Sequence, residues 1–233
     1  MKIKYLGTAA AEGLPSPFCA CEICKTARRR GGRNLRTRSQ ALIDNTLLLD
    51  LCPDTFSHAL TYHIDLTSIR HCLITHVHPD HFYPNELANT IEGYAHLPIG
   101  AEPFCLYGSE DVMAVGQEQI AMTAGKTTFE KLNLFEPTVV CGYEITPLRA
   151  LHGTDHPYIY LISKNGKNML YGHDTGIFPS DTWDYLQRSQ LQLQFVSLDC
   201  TGACDEDLSY DTHMCLGRNR ICAERLREIG VAD

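Results

Sequence analysis

His76, His78, Asp80 and His81 fall within six positions of the run Thr75-His76-Val77-His78-Pro79-Asp80-His81. Four side chains of this kind add nothing to an apolar core. Imidazole nitrogen combined with carboxylate oxygen is a donor set for zinc, manganese or iron, whereas calcium takes oxygen throughout. Residues two apart in an extended segment leave the same face, so His76 and His78 can meet one ion. Pro79 breaks the strand and turns the chain, bringing Asp80 and His81 toward the same space. The apolar Cys72-Leu73-Ile74 just before the motif reads as a buried strand, a rigid support for such ligands.

A second ligand pattern is Cys19-Ala20-Cys21-Glu22-Ile23-Cys24. Cys-x-Cys-x2-Cys puts three thiolates within reach of one tetrahedral zinc, which still needs a fourth ligand. The segment around it, residues 7–39, is rich in Gly, Pro, Cys and Arg and shows no periodicity. A loop that long needs something to order it, and a structural zinc on Cys19, Cys21 and Cys24 would do so. Seven of the chain's 20 Lys and Arg also crowd this loop: Lys25, Arg28, Arg29, Arg30, Arg33, Arg36 and Arg38. Most read as a solvated face, with Arg36 and Arg38 as candidates to meet a substrate phosphate.

Alternating or apolar runs predict strands over 3–6, 40–43, 46–50, 71–75, 104–107, 138–148 with a break at Gly142, 158–163, 168–171 and 194–199. Asp44-Asn45 and Asn165-Gly166 are hairpin turn signals. Helical patterns cover 55–62, 85–95, 109–122, 180–186 and 213–229, with Ser109 and Ser180 as N-caps and Gly230 just past the last helix. Strand pairs interleaved with helices predict an α/β layered fold, read as one domain over 1–233.

The His-x-His-x-Asp-His motif after a short apolar strand resembles the metallo-β-lactamase superfamily. Asp50 after Leu47-Leu48-Leu49, His152 after the strand ending near Leu148, and Asp174 in Tyr171-Gly172-His173-Asp174-Thr175-Gly176 agree in order. Gly7-Thr8, Glu12-Gly13-Leu14-Pro15, the three cysteines and Arg38-Ser39 look like the branch containing the cyclic phosphodiesterases of carbon–phosphorus lyase operons. The resemblance implies a four-layer αββα sandwich with two divalent ions, zinc or manganese, at one edge. It implies that His76, His78 and His152 hold one metal, that Asp80 and His81 hold the other, and that Asp174 bridges them. His152 is preferred over His156 because it directly follows its strand. In the same reading Asp80 orients a metal-bridging hydroxide, and His213, at the start of the last helix, protonates the leaving oxygen. His173 adjoins Asp174 but would point the opposite way in an extended segment, and reads as a support behind the ligands or as structural.

In the resembled family another strand follows the last helix, and two histidines beyond it complete the second metal site and the cysteine zinc. Here no histidine follows His213. The expectation is a chain lacking its last strand, with a sheet edge left open near Asp233.

The 233 residues carry a formal net charge of −8, 44% hydrophobic and 21% charged residues. An acidic chain is not built to grip long nucleic acid by releasing counterions. Eleven cysteines, a start at Met1-Lys2-Ile3-Lys4-Tyr5 that runs straight into a strand pattern, and no stretch of roughly 20 apolar residues predict a cytoplasmic protein without membrane spans. The resulting expectation is a binuclear metal-dependent hydrolase of small, including cyclic, phosphodiesters, compatible with a homodimer. The rival readings are a tRNA 3′-end-processing nuclease, a thioester hydrolase on the same fold, and a non-catalytic metal-binding scaffold.

Overall fold

Hairpins form where residues accept a left-handed backbone. Asp44 and Asn45 have φ of 47° and 58°, and Asn165 and Gly166 have 51° and 70°. Both pairs give the primed turn geometry that matches strand twist. The computed structural model describes residues 1–205 and 210–233. These divide into two compact units, residues 2–107 with 112–130, and residues 108–111 with 131–233 and Met1.

The first unit holds a six-stranded sheet in the order β1-β2-β3-β4-β5-β6. Its strands are β1 (Ile3–Gly7), β2 (Gln40–Ile43), β3 (Leu47–Leu49), β4 (His71–Leu73), β5 (Phe104–Gly108) and β6 (Thr127–Lys131). β3, β4 and β5 run parallel, with Leu48 opposite Cys72 and Cys72 opposite Leu106. Strands buried on both faces read as continuous apolar runs, as Leu47-Leu48-Leu49 does. The core joins Leu6, Leu42, Leu48, Ile69, Ile74, Phe82, Leu106 and Val112. Helices α1 (Glu22–Arg30), α2 (Thr55–Tyr62) and α3 (Glu110–Met122) complete the elements of this half.

The second sheet is ordered β11-β10-β9-β8-β7. It comprises β7 (Thr138–Val140), β8 (Tyr143–Arg149), β9 (Tyr158–Lys164), β10 (Lys167–Gly172) and β11 (Leu193–Leu198). β8, β9 and β10 are antiparallel neighbours, and β11 is parallel to β10. β8, β10 and β11 therefore run the same way, and the segments leaving their carboxyl ends share one end of the sheet. Helices α4 (Ser180–Ser189) and α5 (Leu216–Glu228) supply Trp183, Leu186, Cys222 and Leu226 to a core with Leu148, Leu161, Leu170 and Met214. α5 closes as expected. Gly230, at φ 74°, donates to Arg227 O and Val231 to Leu226 O, the paired bonds of a Schellman ending. β11 is the outermost strand, and its Leu193 N–H donates to Val231 O at 2.8 Å.

The two sheets with their helices are the mixed α/β fold that the motif order implies. Several boundaries differ. Residues 7–39 contain α1, a nine-residue helix, and their ends are laced together, since Thr8 and Ala9 donate to Thr37 O and Ser39 donates to Ala9 O. β6 was not expected. The 85–95 helix is only a 3-10 segment, Pro84–Thr90. The last helix starts at Leu216, so His213 lies in the preceding loop. Ser180 is the first residue of α4 with Pro179 at the cap position, and the buried Ser109 hydroxyl caps nothing. No described helix is long and apolar enough to cross a membrane.

Gly116 on α3 faces the ring of Phe82, and a Cβ there would stand 2.8 Å from Phe82 Cζ. Gly116→Val improves helix propensity by roughly 0.5 kcal/mol. Overpacking against a buried ring costs about 1–3 kcal/mol and wins. Urea denaturation should show net destabilisation, and an unchanged or raised midpoint would contradict this packing.

Candidate metal centre

In the first unit, the ligand cluster is built around Asp50, which follows β3 with φ 67° and is fully buried. Its carboxylate accepts from Thr75 N at 2.8 Å, from Thr75 Oγ1 at 3.0 Å, and from His81 Nδ1 at 2.7 Å. A carboxylate can only accept here, so His81 carries its proton on Nδ1 and presents Nε2 as a lone pair. The Thr75 hydroxyl, donating to Asp50, accepts from His76 Nδ1 at 2.9 Å. His76 therefore presents Nε2 as well.

His76 Nε2 and His78 Nδ1 stand 3.1 Å apart. That is close to the spacing of two nitrogens on one tetrahedral ion with bonds of about 2.0–2.1 Å. Past Pro79 the chain turns, with His81 and Phe82 N–H groups donating to His78 O. This brings Asp80 Oδ2 to 3.5 Å from His81 Nε2. The donor types and the committed Nδ1 protons fit divalent transition-metal ligation.

In the second unit, His152, Asp174 and Asp199 leave the ends of β8, β10 and β11. Asp174, at φ 51°, gathers with Asp199 and His213. Ligand atoms of these three lie within 4.8 Å of one another. His213 Nδ1 is 3.4 Å from Asp199 Oδ2 and 3.5 Å from Asp174 Oδ1. His152 Nδ1 donates to Thr212 O at 3.2 Å, and its ring meets that of His213 edge to face at 4.9 Å. Gly176 makes this convergence possible, because a Cβ there would sit 1.7 Å from Asp211 O. His173 stacks on Tyr171 and pairs with Ser197 Oγ. His156 is held by Asp111 through both its backbone N–H and Nδ1, each at 2.9 Å.

Asp199 is the residue that sequence reasoning missed. Its carboxylate accepts from the backbone N–H groups of Thr175, Thr201 and Met214 at 3.0–3.1 Å. It thus fixes the backbone next to both Asp174 and His213. The only sequence signal was its place at a strand end, shared with Asp50.

Ligand atoms of Cys19, Cys21 and Cys24 lie within 4.8 Å of one another. Cys21 caps α1, its sulfur accepting from Cys24 N at 3.5 Å. That backbone hydrogen bond, with one from the Cys19 side chain, lowers the Cys21 thiol to about 7. Arg28 ties the turn by donating to Cys19 O and Ser16 O. Arg38 grips Asp54 with two bonds of 3.0 and 3.1 Å, so its charge is already answered within the fold. Elsewhere burial pushes thiols up, Cys52 to about 12 and Cys222 to about 11.

The chain belongs to the beta-lactamase superfamily: the model of the beta-lactamase superfamily domain matches residues 45–232. Its class is that of the metal-dependent hydrolases. Among solved structures, a diphosphatase from the PhnP family is similar, with TM-score 0.73 and 21% identity over 97% of this chain and 82% of that one. Human tRNase Z, short form, gives TM-score 0.69 and 14% identity, covering 97% of this chain and 89% of that one. Zinc-bound PqqB from Methylobacterium extorquens gives 0.65 and 23%, covering 89% and 73%. At these identities the likeness shows the fold. An octanoyltransferase of Porphyromonas gingivalis (strain ATCC BAA-308 / W83) is 26% identical over 165 residues, 66% of this chain. The chain spans only 31% of that protein's length.

Two measurements follow. Asp199→Ala leaves three backbone donors without their acceptor, at about 1–3 kcal/mol each if they stay dry, so chemical denaturation should show a loss of at least that size. In metal-free protein the thiolate is the nucleophile, so alkylation of Cys21 should rise with pH through about 7. Cys52 and Cys222 should stay unlabelled, as peptide mass mapping would read.

Proposed function

We propose that the chain is a binuclear metal-dependent hydrolase of small phosphodiesters. The reading rests on one observation above others. Oxygen acceptors, buried for His76 and His81 and part-buried for His152, hold the Nδ1 protons of these three rings, leaving each Nε2 as the ligand nitrogen. In this proposal His76, His78 and His152 hold one ion, Asp80 and His81 the other, and Asp174 lies between. Zinc and manganese both suit the donors. When bound, such ions lower the pKa of water and stabilise charge on phosphoryl oxygens. The chain's own groups do the rest. Asp80 orients the attacking water. His213, with Nδ1 turned toward two carboxylates, uses Nε2 to deliver a proton to the leaving alkoxide. Cys19, Cys21 and Cys24 would hold a structural zinc with a fourth ligand from elsewhere. Small substrates are favoured over long nucleic acid because the chain is acidic, with a net charge of −8.

The test is turnover of bis(p-nitrophenyl) phosphate by protein loaded with Zn²⁺ or Mn²⁺. Asp174→Ala should remove metal and abolish turnover. His213→Ala should keep the metal and slow turnover roughly 10²–10⁴-fold, less where the leaving group needs little protonation. Activity of Asp174→Ala with both metals retained would overturn the bridging role. Cleavage of an octanoyl thioester but no phosphodiester would replace the reading with thioester hydrolysis. Metal binding without turnover of either would favour a scaffold.

A further inference from the structure

A chain of buried polar side chains in the first unit plays no part in the chemistry above. Gln40 is 1% exposed and His58 3% exposed. Gln40 Nε2 donates to the backbone carbonyl of Asp50 and to Thr55 Oγ1, both at 2.9 Å. Gln40 Oε1 lies 2.6 Å from His58 Nδ1, and His58 Nε2 lies 2.7 Å from Thr37 Oγ1.

Hydrogen-bond bookkeeping leaves one arrangement. The Asp50 carbonyl can only accept, and the Thr55 hydroxyl spends its proton on Cys52 O at 2.6 Å. The Gln40 amide nitrogen must therefore face both, and its oxygen must face His58. His58 then carries its proton on Nδ1, and Nε2 accepts from Thr37. Burial also lowers the His58 pKa, favouring this neutral ring.

What the chain holds is Asp50, a non-glycine residue at φ 67°. A left-handed backbone of this kind persists only where the surroundings over-determine it. Gln40 grips the carbonyl of that residue, while its carboxylate grips His81 and Thr75. Thr37 lies at the end of the cysteine-rich arm, so the same bonds run from that arm to the ligand histidines.

We infer that Gln40 and His58 are positioning residues for the metal centre, fixing the left-handed Asp50 that aims His81 and, through Thr75, His76. The inference rests on the metal-centre reading, and its test separates the two. Co²⁺ is titrated into metal-free full-length protein and followed by its visible absorption, with the thermal midpoint measured in parallel. Gln40→Met keeps the volume and removes all three polar contacts of the side chain. His58→Leu removes the donor to Gln40, whereas His58→Asn restores a donor near the Nδ1 position and loses the Thr37 contact.

Loss of an outer partner of a ligand typically weakens metal binding about 10–100-fold. Gln40→Met and His58→Leu should show losses in that range, and His58→Asn should recover most of the affinity even if its thermal midpoint stays as low as that of His58→Leu. Metal-free wild type should also show a strongly downfield proton for His81 Nδ1–H, diminished in Gln40→Met. Wild-type affinity in both His58 variants overturns the inference, as does equal weakening in both. If Gln40→Met does not fold, the His58 pair still decides. Failure of wild type to bind Co²⁺ would sink the metal-centre reading itself, a different outcome from full binding by the variants.

Discussion

The buried Asp50 carboxylate is the interaction on which the histidine cluster of the first unit depends. It is fully removed from solvent, yet it accepts bonds at 2.7, 2.8 and 3.0 Å from His81 and from both donors of Thr75. A buried charge is tolerated only when its oxygens are answered this completely. The answer dictates which nitrogen of His81 and of His76 faces outward. In the second unit Asp199 does the corresponding task with backbone donors, tying Thr175 and Met214 to one carboxylate. Neither aspartate belongs to the proposed ligand set. Each makes its neighbours' orientation a property of the fold instead of a consequence of metal binding.

Placement at strand ends explains why such groups can be held so rigidly. The Asp50 loop and the histidine motif follow parallel β3 and β4, and the other loops leave the same end of β8, β10 and β11. A strand end offers fixed backbone on one side and room to turn on the other. Asp50 and Asp174 both take a positive φ there. Gly176 permits the contact with Asp211 that brings the His213 segment alongside.

The heptapeptide 75–81 was legible because its residue types have no structural use, and most strands were legible because burial on both faces leaves short, nearly continuous apolar runs in the sequence. α1 was not legible, because it is short and four of its nine residues are Lys or Arg, so its narrow apolar face of Ile23, Cys24 and Ala27 is outweighed by charge. β6 alternates weakly, with Thr127 alone fully covered. The early start assigned to α5 has a similar cause. Residues 213–215 are held by Asp199 accepting from Met214 N, a bond fifteen residues long-range, and not by helical bonding. Asp199 escaped notice because backbone amides leave no trace in residue identity. The Gln40–His58 chain escaped because His58 has no motif around it and its partners, Gln40 and Thr37, come together only in three dimensions.

The outermost strand β11 also governs how this protein behaves in concentrated solution. Leu193-Gln194-Phe195-Val196-Ser197-Leu198 carries no charge and no proline, and Phe195 is 43% exposed. The other sheet edges are defended. β1 carries Lys4, β6 carries Glu130 and Lys131, and β7 is only three residues long. Charge, proline and shortness are the usual guards against edge-to-edge pairing. β11 has none of them, so intermolecular strand pairing, and with it the onset of turbidity on mild heating, should begin there. A single lysine at the exposed Phe195 would raise the concentration at which the protein stays clear without touching any group of the metal centre.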